Sequence, residues 1–291
     1  MRSGFVALAG RPNVGKSTLA NAIVGAKVAI VSSKPQTTRR AIRGVATGRD
    51  WQLVLVDLPG VQRPRDALTG RMQRRVQAEL QDADGCLLVL DAEDGIGPGD
   101  RYVAQLLADS PVPVVIAVNK IDRLRRHGVA AVLHAADELG VSEDIFPVSA
   151  RTGSGVPALI DHLVSLLPAG PLYFEPDQRS DMTEGVRLAE LVREQVLART
   201  RHEVPHAVEV EVQEIERSEE LVRVTAEILV ETESQKGILI GAGGRMVKAV
   251  GVAARQAIER ELRTQVHLEL SVRVRRRWRA DERLLDRLGI E

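Results

Sequence analysis

Gly10-Arg11-Pro12-Asn13-Val14-Gly15-Lys16-Ser17 decides how the rest of this chain is read. The stretch fits the pattern G-x-x-x-x-G-K-[ST], and its flanks fit too. Residues 5–9, Phe-Val-Ala-Leu-Ala, are a short apolar run that reads as a buried strand. From Thr18 to Val24 apolar residues recur at helical spacing. Between strand and helix, backbone N–H groups can converge on the oxygens of a triphosphate. Gly10 and Gly15 permit the tight curl because they lack a Cβ. The helix N-terminus adds partial positive charge. Lys16 reaches the β- and γ-phosphates as a point charge, and the Ser17 hydroxyl suits Mg²⁺. Residues 10–18 are therefore expected to contact nucleotide.

Outward from this loop, strand-like runs alternate with amphipathic helical stretches up to Pro168. Strands are expected at 5–9, 41–47, 52–56, 85–91, 112–118 and 145–148. Further helices are expected at 72–80, 102–108, 130–139 and 158–167. The fold class is α/β, a mostly parallel sheet with helices on both faces. Ligands of such sheets sit at the carboxyl ends of the strands, and each further motif follows a strand. Asp57-Leu58-Pro59-Gly60 fits D-x-x-G: Asp57 can hold Mg²⁺ through water, and Gly60 can offer its N–H to a γ-phosphate. Asn119-Lys120-Ile121-Asp122 fits N-K-x-D. Asp122 can accept from N1–H and N2–H₂ of guanine, a donor pair that adenine lacks, which selects GTP over ATP. The apolar stem of Lys120 would lie along the base. Ser149-Ala150 offers backbone to guanine O6, or simply caps the next helix.

The polar loop Ser33-Lys34-Pro35-Gln36-Thr37-Thr38-Arg39 is expected to include a switch whose threonine closes onto Mg²⁺. Thr38 is preferred and Thr37 is the alternative. Lys16, Thr38 and Gly60 form the expected catalytic set. Val61 stands where many GTPases have a water-orienting glutamine, so slow intrinsic hydrolysis or another device is expected. The side-chain oxygen of Asn13 is a candidate holder of a monovalent cation; the plainer reading is a turn-stabilising amide. Arg39 and Arg40 read as solvated or partner-facing.

Length suggests two domains in the 291 residues. Lys+Arg and Asp+Glu both number 40, so any basic footprint must be local. Cys86, the sole cysteine, lies in an apolar run and reads as core. No signal peptide or membrane-length apolar run is visible, and a cytoplasmic location is expected. The proposed boundaries are a nucleotide domain at 1–168, a Pro- and Gly-bearing linker at 169–181, and a second domain at 182–291. That domain reads α-β-β-α-α-β: helix 183–200, strands 207–217 and 221–231 around the turn 218–220, helix 234–240, a glycine turn, a helix to 262, and strand 266–274.

Together the loop 10–17, Gln36-Thr37-Thr38-Arg39, Asp57–Gly60, Asn119–Asp122, Gly237–Gly244, Val266–Leu270 and Asp281-Glu282-Arg283 resemble the Era family of bacterial GTPases along nearly the whole chain. The resemblance implies a smaller α+β KH domain of type II after the P-loop GTPase domain. It implies a factor that binds the single-stranded 3′ end of small-subunit ribosomal RNA, assists small-subunit assembly, and associates peripherally with the inner membrane. It also implies K⁺ held by Asn13 beside Mg²⁺ held by Ser17, Thr38 and Asp57. GTP and GDP are the expected nucleotides and a monomer the expected state.

Within the tail, Gly241-Ala242-Gly243-Gly244 is a G-x-x-G turn of the kind that lets a nucleic-acid backbone approach. Basic residues between the glycines are absent, so Lys236, Arg245 and Lys248 must supply positive charge. Ile238 and Ile240 read as core. Trp278, inside the basic run Arg273–Arg279, either stacks on a base or packs on its own domain. The acidic segment 209–220 is expected to face away from RNA. The alternative function is a GTP-binding adaptor at the membrane or in cell-cycle control.

Overall fold

The computed structural model describes residues 1–34, 36–61, 66–108, 110–201 and 203–290; Pro35 of the switch stretch lies outside them. Two compact units make up the chain: residues 1–65 with 69–181, and residues 66–68 with 182–291.

The first unit runs β1 (Arg2–Ala9), α1 (Lys16–Val24), β2 (Ile42–Thr47), β3 (Trp51–Asp57), α2 (Ala67–Asp82), β4 (Gly85–Asp91), α3 (Pro98–Ala108), β5 (Val114–Asn119), α4 (Arg126–Asp137), β6 (Ile145–Pro147) and α5 (Val156–Leu166). The sheet order is β2-β3-β1-β4-β5-β6. Only β2 runs antiparallel to its neighbour, as its short connection to β3 requires. Period-two alternation divides the strands between two cores. Val6 and Leu8 pack with Leu19, Ile23, Leu159 and Leu163 on one face. Ala7 and Ala9 pack with Val103, Leu107 and Ala136 on the other. Burying both faces explains the continuous apolar runs. Cys86 is core, and burial pushes its thiol up to about 11.

Several helices start earlier than periodicity suggests. α3 begins at Pro98, a residue pre-set for the first helical turn. The segment read as a linker instead packs along the first unit. Gln52 is buried, and its amide donates to Phe174 O (2.9 Å) and accepts from the N–H groups of Tyr173 (2.8 Å) and Phe174 (3.0 Å). Val45 N–H donates to Arg179 O (2.9 Å), and Arg43 pairs with Asp181 (3.1 Å). One amide with donor and acceptor can order an otherwise structureless strap, which composition does not reveal.

The second unit comprises α6 (Glu184–Arg199), α7 (Val204–Ala207), β7 (Glu209–Arg217), β8 (Leu221–Val230), α8 (Glu233–Ile240), α9 (Arg245–Leu262), β9 (Gln265–Val274) and α10 (Glu282–Arg287). In the order β7-β8-β9, the first pair is antiparallel and the second parallel. The α8–α9 pair supplies the crossover that parallel neighbours need. This is the α-β-β-α-α-β order expected, with the short α7 and α10 added. Val222, Val224, Ala226, Ile228 and Val230 of β8 share a core with Val192 and Val196 of α6 and Val250, Ala254 and Ile258 of α9. α8 starts at a capping box: Thr232 accepts from Gln235 N–H (3.2 Å) while the Gln235 side chain accepts from Thr232 N–H (3.2 Å). Among the described residues no single helix is long and apolar enough to cross a membrane.

Candidate functional site

The sheet delivers the motif residues to one edge. β1 runs into the P-loop, β3 ends at Asp57, β4 at Asp91 and β5 at Asn119, and Ser149 follows β6. Pairing sets Leu8 beside Asp57 and Asp91 beside Asn119. Over these ends lies a cavity of about 460 Å³, lined by Pro12, Asn13, Gly15, Lys16, Ser17, Thr18, the switch residues Gln36–Thr38, Gly60 and Lys120, among others. Of the expected nucleotide contacts, Gly10, Arg11, Val14, Asp57, Asn119, Asp122, Ser149 and Ala150 are outside its lining, and Val14 is core.

Lys16 is buried and donates to Gly10 O (2.9 Å) and Arg11 O (3.0 Å). Burial pushes its ammonium down to about 8, with Asp57 opposing the shift. Three oxygens gather next to it. Ser17 Oγ donates to Asp57 Oδ2 (2.6 Å), Thr38 Oγ1 donates to the same oxygen (3.3 Å), and the two hydroxyls are 3.0 Å apart. Asp57 Oδ1 is buried with no hydrogen-bond partner among the described residues. Burial lifts the Asp57 carboxyl above its usual range, against the Ser17 hydrogen bond and Lys16. A hard divalent cation takes oxygens of this kind and would favour the ionised form, so the donor set fits Mg²⁺. Thr37 instead donates to Lys34 O (2.6 Å), which separates the two threonines in favour of Thr38. Gly60 presses on the P-loop: an added Cβ would lie 2.8 Å from Pro12 Cγ and 2.9 Å from Pro12 N. Val61 N–H donates to Gly10 O (3.2 Å) and its side chain is buried. Arg39 is buried rather than solvated.

The base motif is tied to the P-loop. Asn119 donates to Val14 O (3.0 Å) and accepts from Ala150 N–H (3.0 Å), so the N–H expected at guanine O6 already serves Asn119. Lys120 Nζ donates to Asn13 O (2.9 Å) and pairs with Asp91, which stretches its stem along the cavity wall. Asp122 Oδ1 accepts from Ser149 Oγ (2.6 Å), and Oδ2 from Arg151 (2.6 Å). A carboxylate offers about four lone-pair sites, so each oxygen retains one for the guanine donors. The Ser149 hydroxyl, then Arg151, hold Asp122 below the usual carboxylate range. Asn13 Nδ2 donates to Ser33 O (3.1 Å).

Sequence reading missed Asp91, Asp94, Asp100 and Arg151. Asp91 carried a usable signal, since it too ends a strand at the carboxyl edge. Arg11, read as a nucleotide contact, turns its guanidinium to Asp94 (3.2 Å) and Asp100 (3.1 Å).

In the second unit, residues Ala242–Gly244 form a single 3₁₀ turn between α8 and α9. Gly241, Gly243 and Gly244 have φ of 69°, 60° and 77°, values that favour glycine. A Cβ at Gly243 or Gly244 would meet nothing within 4 Å, so the turn stands open. Ala242, Arg245 and Lys248 are exposed and Lys236 is half-buried. Beside the turn lies a cavity of about 310 Å³ lined by Val247, Lys248, Gly251, Val252, Arg255, Leu268 and Leu270. Ile238 corrects the core reading: it is 45 % exposed, Ile240 is half-buried, and Leu239 takes the core position. Trp278 packs inside its own domain and donates to Ala207 O (2.8 Å). Glu209 is also buried, near Arg193 (3.8 Å).

Two family models match: a 50S ribosome-binding GTPase over residues 5–120 and a KH domain over residues 203–279. GTPase Era of Mycolicibacterium paratuberculosis is 47% identical over 294 residues, covering 99% of this chain and 98% of the relative. GTPase Era of Mycobacterium tuberculosis gives the same identity and coverage. A crystal structure of Era with MgGDPNP and nucleotides 1506–1542 of 16S ribosomal RNA superposes with TM-score 0.96 at 33% identity, over 100% of this chain and 99% of that one. A point variant of Aquifex aeolicus Era bound to GDP·AlF4⁻ gives TM-score 0.95 at 33% identity with the same coverage. P-loop, base motif, open glycine turn and near full-length identity agree: the chain belongs to the Era family of GTPases.

Proposed function

We propose that this chain is a GTP-driven switch that holds the 3′ end of small-subunit ribosomal RNA and assists assembly of the small ribosomal subunit. One observation carries the reading: a single chain joins a nucleotide cradle, with Thr38 drawn onto Ser17 and Asp57, to an open G-x-x-G turn beside an apolar, basic-edged groove. The relative solved with a 16S ribosomal RNA segment, alike over the whole chain, supports it. Four nucleotides are about the length that such a turn and groove hold.

At the nucleotide, Mg²⁺ neutralises charge between the β- and γ-phosphates when bound; Ser17, Thr38 and Asp57 would hold it. Lys16 and the Gly60 N–H would hold the γ-phosphoryl oxygens, and Lys16 would also stabilise charge that moves toward the leaving β-phosphate. Val61 has no polar atom to orient water. Asn13 donates through its amide nitrogen to Ser33 O, so its oxygen is the end left for a monovalent cation. Hydrolysis is expected to run faster in K⁺ than in Na⁺; equal rates would remove Asn13 from this role. We further propose a cytoplasmic monomer that associates peripherally with the inner membrane.

The reading is tested by titrating a short single-stranded RNA of the small-subunit 3′ sequence, with a scrambled control, onto protein loaded with GDP or a non-hydrolysable GTP analogue. Specific binding favoured by the GTP form supports the switch. Equal specific binding in both forms retains the RNA reader and removes the coupling. No specific binding overturns the RNA reading and promotes the adaptor.

A further inference from the structure

The turn between β4 and α3 belongs to none of the sequence motifs, yet it touches two of them. Asp91, buried at the end of β4, pairs with Lys120 of the base motif and accepts from the N–H groups of Glu93 (2.9 Å) and Asp94 (3.4 Å). Ala92 N–H donates to Asn119 O (2.8 Å), and Glu93 pairs with Arg123. At its far end, Asp100 is 0 % exposed. It accepts from Gly97 N–H (2.9 Å), which closes the turn, and takes Arg11 Nε on both carboxylate oxygens (3.1 Å each). Asp94 takes the other face of the Arg11 guanidinium (3.2 Å). Lys120 closes the circuit by donating to Asn13 O (2.9 Å).

An acidic lining is unexpected beside a site for a polyphosphate. Asp91, Glu93 and Asp94 line the cavity, but each is paired with a cation, Lys120, Arg123 and Arg11 respectively, and two of those cations belong to nucleotide motifs. Charge-assisted contacts to a buried carboxylate such as Asp100 fix geometry better than exposed pairs do. The P-loop and the base motif lie more than a hundred residues apart in sequence, and a nucleotide has a fixed length between its base and its phosphates. The span between the two motifs must therefore be held by something.

We infer that the β4–α3 turn is a brace for the nucleotide site, with Asp91 and Asp100 as positioning residues. Asp100 acts through Arg11 on the phosphate end, and Asp91 acts through Lys120 on the base end. The inference rests on the GTP reading of the site. It predicts that the two ends fail differently. Asp91→Asn frees Lys120, so GDP affinity falls about tenfold and preference for GDP over IDP falls with it. Arg11→Lys keeps the charge but loses the planar set of donors that reaches Asp94 and Asp100 at once. GDP affinity then falls about fivefold, while the GDP-to-IDP ratio stays within twofold.

The experiment measures GDP and IDP dissociation constants for Asp91→Asn, Arg11→Lys, Asp100→Asn and the Arg11→Lys/Asp100→Asn double variant, with thermal midpoints recorded alongside. Since Asp100 is wholly buried and its variant is at risk of misfolding, Asp94→Ala provides a milder second route to the same guanidinium. The brace is supported if the double variant loses no more affinity than Arg11→Lys alone, the non-additivity of residues acting as one. Additive losses overturn it. So do unchanged dissociation constants, or a lowered fraction of active protein with the wild-type constant. A wild type that binds no GDP would sink the nucleotide reading itself, a separate failure.

Discussion

The nucleotide site and the nucleic-acid surface are built on opposite plans. In the first, nearly every polar side chain is buried or half-buried and already engaged: Lys16 on two carbonyls, Asn119 on Val14 and Ala150, Asp122 on Ser149 and Arg151. In the second, the glycine turn is open, Arg245 and Lys248 are exposed, and the groove is walled by Val247, Val252, Leu268 and Leu270. A small anion of fixed shape rewards preorganised donors. A flexible strand is held by many weak contacts, no one of which must be placed in advance. The first site should thus fail abruptly on single changes, and the second gradually.

The largest effect is expected at Lys16. Its ammonium would make charge-assisted contacts to phosphate worth several kcal/mol together, so Lys16→Ala should weaken GTP by about a thousandfold. RNA affinity of the GDP form should stay unchanged. Isothermal titration with both ligands checks this, and a parallel loss of RNA binding would break the division between the two plans.

Next is the paired change Gly243→Asp with Gly244→Asp. It places two carboxylates, and a Cβ at positive φ, where a phosphate backbone would pass. RNA affinity should fall roughly a hundredfold through repulsion, with GDP affinity intact. A loss of less than fivefold would move RNA off the turn.

The same contrast explains what the sequence revealed. The P-loop, D-x-x-G and N-K-x-D were legible because each is contiguous and ends a strand. Thr38 was preferred from sequence with Thr37 left open, and the physical ground for the choice came only when Ser17 and Asp57 were brought beside Thr38, since spacing alone cannot decide which of two adjacent hydroxyls turns inward. The Gln52 strap and the Arg11–Asp100 pair were invisible because their partners lie 122 and 89 positions away. Ile238 was misread for a subtler reason. In Gly237-Ile238-Leu239-Ile240 three apolar residues follow one another, but a helix turns about 100° per residue, so only one of them can face the core; the structure gives that place to Leu239. The groove left no sequence trace, because its residues look like core until the strand and helix that carry them are seen.

A smaller effect tests how preorganised the base end is. Ser149 contributes most to holding the Asp122 carboxyl below its usual range. Guanine binding needs the carboxylate, so GDP affinity is lost as pH falls through the Asp122 pKa. Ser149→Ala removes the main support, raises that pKa, and should move the acid limb of GDP binding to higher pH. At pH 7 the carboxylate is ionised in both proteins, and the remaining cost is about one hydrogen bond, roughly fivefold. The capping alternative is already excluded, since α5 starts at Val156 behind Gly155 with no side-chain cap; an acid limb that does not move would show that Ser149 only closes its own turn through the Thr152 N–H (3.2 Å) and does nothing for the base.

The smallest effect belongs to the groove. Val252 lines it and is 44 % exposed on α9. Removing two methyl groups from a half-exposed position forfeits a fraction of a buried side chain's worth, about threefold in RNA affinity. Alanine is the better helix former by a few tenths of a kcal/mol, so the thermal midpoint of Val252→Ala should hold or rise slightly. The two readouts then move apart, which a packing defect cannot do, because a defect would lower both. A loss approaching that of the double aspartate variant would mean that RNA is gripped at one prepared point, and the gradual plan assigned to this surface would give way to the abrupt one of the nucleotide site.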